Sequence, residues 1–164
     1  KRVWRYMTTH VERLEDLKAW VHARCDQVEQ GRALAFLQRD GITGQAVGST
    51  SIFDIEPEHR TMEIGHTWLV HPAWGTGINA EAKLLLLTHC FQALEAVRVQ
   101  IKTDARNERS RAAIHALGAS EEGTLRRQRR MPDGHLRDAV VYSILDQEWP
   151  ACREALEARV AVVR

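Results

Sequence analysis

Long apolar runs are missing from this sequence of 164 residues. The longest, Leu84-Leu85-Leu86-Leu87, falls far short of the roughly 20 residues a membrane-spanning helix requires, and no signal peptide is recognisable before it. No membrane partner is expected, and the expected compartment is the cytoplasm. Cysteine is scarce: Cys25, Cys90 and Cys152 are odd in number and sit in helix-like or terminal stretches, which favours buried thiols over a disulfide framework. Charge of one sign is not in excess, and a formal net charge of +1 provides no whole-molecule field for nucleic acid. The eight histidines show no metal spacing, so no metal is expected. Trp4, Trp20, Trp68, Trp74 and Trp149 lack the repeated aromatic-basic spacing of a nucleic-acid platform.

What is present suits one domain over residues 1–164, mixed in α and β. Thr9-His10-Val11-Glu12 has the form of a capping box, and Leu14, Leu17, Trp20 and Val21 follow at helical spacing until Gly31. Residues 32–38 and 46–55 alternate as two strands around Asp40-Gly41, a hairpin signal. A third strand spans 62–70, where Gly65 could permit a bulge. Leu84, Leu87, Phe91 and Leu94 mark a helix, and Val97, Val99 and Ile101 a strand, which together make a βαβ unit. A short helix over 110–117, two strands around Pro132-Asp133-Gly134 and a terminal helix over 148–163 complete the expectation.

Gly75-Thr76-Gly77-Ile78-Asn79-Ala80 lies between strand and helix, where unpaired amides and the positive end of the helix dipole converge. Such a point attracts phosphate, and Lys83, one turn in, could add charge. A plain turn before a core helix is the competing account. The same residues also satisfy the dinucleotide fingerprint Gly-x-Gly-x-x-Gly/Ala, with Asp104 ending the next strand, so an NAD-binding oxidoreductase is the rival enzyme. Against it, the incoming strand carries Glu63, His66 and Thr67, whereas a first strand buried on both faces should be almost continuously apolar.

Met62-Glu63-Ile64-Gly65, then Trp74-Gly75-Thr76-Gly77-Ile78-Asn79-Ala80, then Asn107-Glu108-Arg109-Ser110 resemble the GNAT acetyltransferase superfamily, and most of all its ribosomal-protein N-terminal acetyltransferase (RimJ/RimL-like) branch. The likeness runs from about Val3 to Leu145, with Pro72 where the signature is normally basic. It implies the acyl-coenzyme A N-acyltransferase fold: a central mixed sheet with flanking helices, here without the strand and helix that normally precede the stretch resembling residues 1–7. It further implies that acetyl-coenzyme A is the co-substrate and a primary amine the acceptor. The favoured acceptor is a protein or peptide N-terminus, and a small amine such as a polyamine, an aminoglycoside or an amino acid is the alternative. A monomer or homodimer is expected. A non-catalytic acyl-coenzyme A-binding module is the remaining reading.

Under this resemblance pantetheine lies along a splayed strand at Trp68, Leu69 and Val70. Pyrophosphate is held by Gly75, Thr76, Gly77, Ile78, Asn79 and Ala80, and Asn107 binds the coenzyme. Acyl transfer from a thioester needs a neutral amine, a stabilised oxyanion and a proton for the thiolate. Glu122 is the first choice of base and Glu63 the second, although either could be an ion-paired or solvated carboxylate. The tyrosine that many members use as acid falls on Ile114, leaving Ser110 as candidate acid or mere helix cap. Arg126, Arg127, Arg129 and Arg130 suit a solvated hairpin first, and a contact with an acidic acceptor or with nucleic acid second.

Overall fold

The computed structural model describes residues 3–163. Its elements, in chain order, are α1 (Leu14–Glu29), β1 (Ala33–Arg39), β2 (Ala46–Glu56), β3 (Thr61–Leu69), α2 (Ile78–Thr88), β4 (Arg98–Asp104), α3 (Glu108–His115), β5 (Ser120–Arg130), β6 (Leu136–Leu145) and α4 (Trp149–Val163). The six strands form one mixed sheet in the order β1-β2-β3-β4-β6-β5, with β3 and β4 its parallel pair. Every other neighbouring pair is antiparallel. One βαβ crossover inside an otherwise antiparallel sheet is not a doubly wound dinucleotide fold, which needs a run of parallel strands.

Strand alternation sorts the side chains by face. Met62 and Ile64 of β3, Val99 and Ile101 of β4, and Val140, Tyr142 and Ile144 of β6 pack beneath Leu86, Leu87 and Cys90, and beneath Trp149, Cys152 and Leu156 of α4. The intervening residues Glu63, Gln100 and Lys102 therefore share the opposite face. There Trp4, Val11 and Trp20 of the N-terminal segment and α1 make a second cluster with Trp68. The rings of Trp4 and Trp68 lie 5.2 Å apart, so this cluster anchors the end of β3.

Two local expectations are corrected. The first helix begins at Leu14 rather than after Thr9, because Asp16 Oδ2 accepts the Arg13 and Glu12 amides at 2.9 and 3.2 Å and so fixes the entry four residues later. The bulge in β3 is real, but its positive φ belongs to His66 at 49° rather than to Gly65. Ser51 pairs with Gly65 and Ser49 with Trp68, so His66 and Thr67 together oppose Thr50. Gly65 is needed for space, since a Cβ there would lie 2.9 Å from the Phe53 ring.

Candidate active site

β3 and β4 are bonded only at Thr61–Arg98, Met62–Val99 and Glu63–Gln100; beyond Glu63 they part. The gap opens a cavity of about 990 Å³ through the sheet, running from Gly75, Gly77, Asn107 and Ser110 on one side to Glu63, His66 and Arg129 on the other. Backbone orientation makes the gap chemically active. Val70 N donates to Val47 O at 2.8 Å, toward β2, whereas Leu69 O accepts the Trp74 indole N–H at 2.9 Å from the gap side. The amide and carbonyl of one strand residue share a side, so the Leu69 N–H also faces the gap.

At the mouth, Gly75 and Gly77 take φ of 77° and 84°, and Gly77 caps α2 with no side chain in the way. The first α-helical bond there is Glu81 N to Gly77 O, so the amides of Ile78, Asn79 and Ala80 have no partner inside the helix. The Thr76 hydroxyl turns back to Ala73 O at 2.9 Å and contributes to the shape of the turn. Arg109 stacks on Trp74 with its guanidinium carbon 3.4 Å from the ring centroid, which places a cation beside the loop. A cation in the first turn of α3 opposes the helix dipole, and an anion at the mouth would offset that.

Lys83 does not serve this mouth. It is 4% exposed and points into the sheet, where Nζ donates to Thr67 Oγ1 at 2.7 Å and Thr50 Oγ1 at 2.9 Å. Burial, with no carboxylate partner among the described residues, lowers it from 10.5 to about 7. It lies against the back of the His66 bulge, at the cavity wall.

The two glutamates are separated. Glu63 lines the cavity at 5% exposure and ion-pairs with Lys102 Nζ at 2.7 Å. Burial nonetheless raises its pKa, because desolvation outweighs the stabilisation by Lys102 and Gln100. Glu122 is not among the cavity residues. It is bound by Arg98 and accepts from Ser143 Oγ at 2.8 Å, and the Arg98 hydrogen bond holds its pKa down. The two carboxylates are ends of one polar ladder: Gln100 Nε2 donates to Glu63 at 3.1 Å, and Arg98 bridges Gln100 to Glu122.

Asn107 Oδ1 accepts the Ser110 amide at 3.2 Å, so Asn107 is the cap of α3 and the Ser110 hydroxyl is not. Ser110 and the buried Ile114 both line the cavity. Trp68, Leu69, Gly75, Gly77, Asn79, Ala80 and Asn107 line it too, whereas Thr76, Ile78, Val70 and Glu122 do not. Sequence reasoning passed over Arg24, Lys102, Arg109 and Arg137, all of them cavity residues. For Lys102 a signal existed, because alternation along β4 puts it on the Glu63 face.

A family profile described as "Acetyltransferase (GNAT) domain" matches residues 1–120. The chain is 36% identical over 106 residues to "Putative ribosomal N-acetyltransferase YdaF" of Bacillus subtilis (strain 168), an alignment that covers 65% of this chain and 57% of that protein. It therefore spans less than two thirds of that relative's length. Among solved structures, a "putative acetyltransferase" from T. thermophilus superposes with a TM-score of 0.87 at 42% identity, over 96% of this chain and 82% of that one. Mycobacterium smegmatis RimJ in complex with CoA-disulfide superposes with a TM-score of 0.79 at 27% identity, over 96% and 76%.

Proposed function

Since the chain belongs to the GNAT acetyltransferase family, we propose that it moves an acetyl group from acetyl-coenzyme A to a primary amine, with a protein or peptide N-terminus as acceptor. The observation that carries this reading is the parting of β3 and β4 beyond Glu63, with the start of α2, free of any capping side chain, at the mouth of the gap. A long, thin thioester with a polyanionic head fits those two features together. The amides of Ile78, Asn79 and Ala80, with Arg109 beside them, hold the pyrophosphate. The Leu69 amide faces the gap and polarises the acyl carbonyl.

Glu63 is the base in this account. Its carboxylate lies on the wall opposite the glycine mouth, and its raised pKa makes it a better proton acceptor than an exposed carboxylate. It takes one proton from the incoming ammonium; the freed nitrogen attacks the thioester carbonyl carbon, the attacking nitrogen loses its second proton to solvent, and the C–S bond breaks. The departing sulfur takes a proton from the Ser110 hydroxyl, which regains one from solvent, and Glu63 returns its proton to solvent before the next turnover. Glu122 acts through the ladder, holding Arg98 and thereby Gln100 in place against Glu63. Likeness to a protein named as a ribosomal N-acetyltransferase supports a protein acceptor, and likeness to a RimJ structure that holds CoA-disulfide supports the coenzyme.

The test is thiol release from acetyl-coenzyme A with a panel of peptide amines. Release that requires both acetyl-coenzyme A and an amine, and an acetylated amine by mass, supports the reading. Tight acetyl-coenzyme A binding with no acetylated product from any amine would leave a non-catalytic module instead.

A further inference from the structure

The acceptor end of the cavity carries cations that the transfer chemistry does not use. Arg24, Arg129 and Arg137 all line it. None of the three has a carboxylate within ion-pair distance among the described residues, whereas Arg98, Lys102, Arg106 and Arg111 each do. Arg24 instead bonds the His66 ring at Nε2, 2.9 Å away, and lies 5.7 Å from the Trp20 ring. Arg137 donates to Gln128 Oε1 at 3.0 Å. Asp104 and Glu63 act on Arg137 from a distance, but each is already held by another cation, Arg106 and Lys102.

Burial makes this arrangement costly when empty. Arg24 and Arg137 are half-buried, and the Nε of each is enclosed with no hydrogen-bond partner among the described residues. Desolvation lowers the pKa of both guanidiniums. His66 adds no compensating negative charge: burial and the neighbouring Arg24 and Arg129 push it down to about 4, so it is neutral at ordinary pH. Among the described residues, the carboxylate of that end outside any ion pair is Asp54, which acts on Glu63 and so belongs where an ammonium would arrive. The pattern is a negative pole at Asp54, beside the Lys102-paired Glu63, and a positive pole at the three arginines.

Resting on the acetyltransferase reading, we propose that Arg24, Arg129 and Arg137 form an anion subsite for the acceptor, which is a primary amine bearing a carboxylate close to the amino group. An acidic peptide N-terminus and a free acidic amino acid share that chemistry. A polyamine or an aminoglycoside lacks it, and three unpaired guanidiniums would repel it.

The experiment compares acetylation of an octapeptide beginning Ala-Asp-Glu, its Ala-Asn-Gln counterpart, free aspartate and spermidine. The acidic peptide should exceed its amide counterpart in kcat/KM by about tenfold or more, the range of a charge-assisted pair. High turnover of free aspartate would assign the amino-acid source, and low turnover the peptide. Arg129→Gln, at an exposed position that should not disturb folding, should narrow the acidic-to-neutral ratio to within about threefold, and Arg129→Lys should restore part of it. Equal turnover of the two peptides, or a preference for spermidine, would overturn the proposal. If no amine is acetylated at all, the transferase reading fails separately. Calorimetric titration of the two peptides then decides the subsite: tighter binding of the acidic one sustains it, and equal binding removes it.

Discussion

At the scale of single residues, environment rather than residue type divides the work between two glutamates. Glu63 is desolvated on the cavity wall, while Glu122 is exposed to solvent and bound by Arg98. Glu63→Gln should lower kcat by about 100-fold or more with acetyl-coenzyme A affinity retained, and Glu122→Gln by about tenfold or less. Steady-state kinetics on both variants checks this, and a larger loss at Glu122 would move the base there. Because the Glu63 carboxyl is raised and must be ionised to act, wild-type kcat/KM should rise with pH on its acid limb, and Glu63→Gln should flatten that limb.

Lys83 makes a prediction about stability instead. Its pKa falls from 10.5 to about 7 on folding, so between those values the unfolded chain holds a proton the folded chain has released, and stability rises with pH. Cys90 acts in the opposite sense from 9.0 to about 12, which leaves pH 7 to 9 as the clean window. Urea unfolding should therefore show a gain on the order of 2 kcal/mol across it, and Lys83→Met should remove most of that gain. An unchanged slope in the variant would assign the proton to another group.

At the scale of elements, the cap of α3 sorts structural from chemical roles. Asn107→Ala should destabilise by about 1 kcal/mol, because it strands the Ser110 amide. Ser110→Ala should change stability by less than about half of that while slowing thiolate departure. Thermal unfolding beside single-turnover kinetics separates the two; a Ser110→Ala variant that is as fast as wild type would move the proton donor to solvent.

The same scale explains what the sequence made legible. The β3–α2–β4 unit and the glycine mouth were readable because period-2 strands, period-3.6 helices and turn glycines are local signals. Asn107 and Ser110 were readable as a pair, and the fold then showed which of them caps. The burial of Lys83 was not readable, since it depends on Thr50, 33 residues away. Nor was the Arg24 contact with His66, across 42 residues, or the ladder that ties Glu63 to Glu122. Sheet order created those neighbours.

At the scale of the whole molecule, a near-neutral net charge conceals a cavity whose lining is divided in charge. A formal charge of +1 excludes a global field but says nothing of three guanidiniums gathered at one end of a cavity. The sheet has its edges at β1 and β5, and the arginines of β5 that suit solvent on one side supply Arg129 to the cavity on the other. Charged residues along an edge strand also discourage pairing with a second chain.

Everything at this scale depends on the mouth of the gap holding a pyrophosphate. The direct measurement is calorimetry of acetyl-coenzyme A on the wild-type protein and on Gly77→Val, with circular dichroism to establish that the variant is folded. Gly77 sits at a φ of 84° with α2 opening behind it, where a branched side chain is strained and would stand between ligand and amides. The account predicts binding to the wild type and a loss of about 100-fold or more in a folded variant. Unchanged affinity in folded Gly77→Val, or no binding to the wild type, would contradict it.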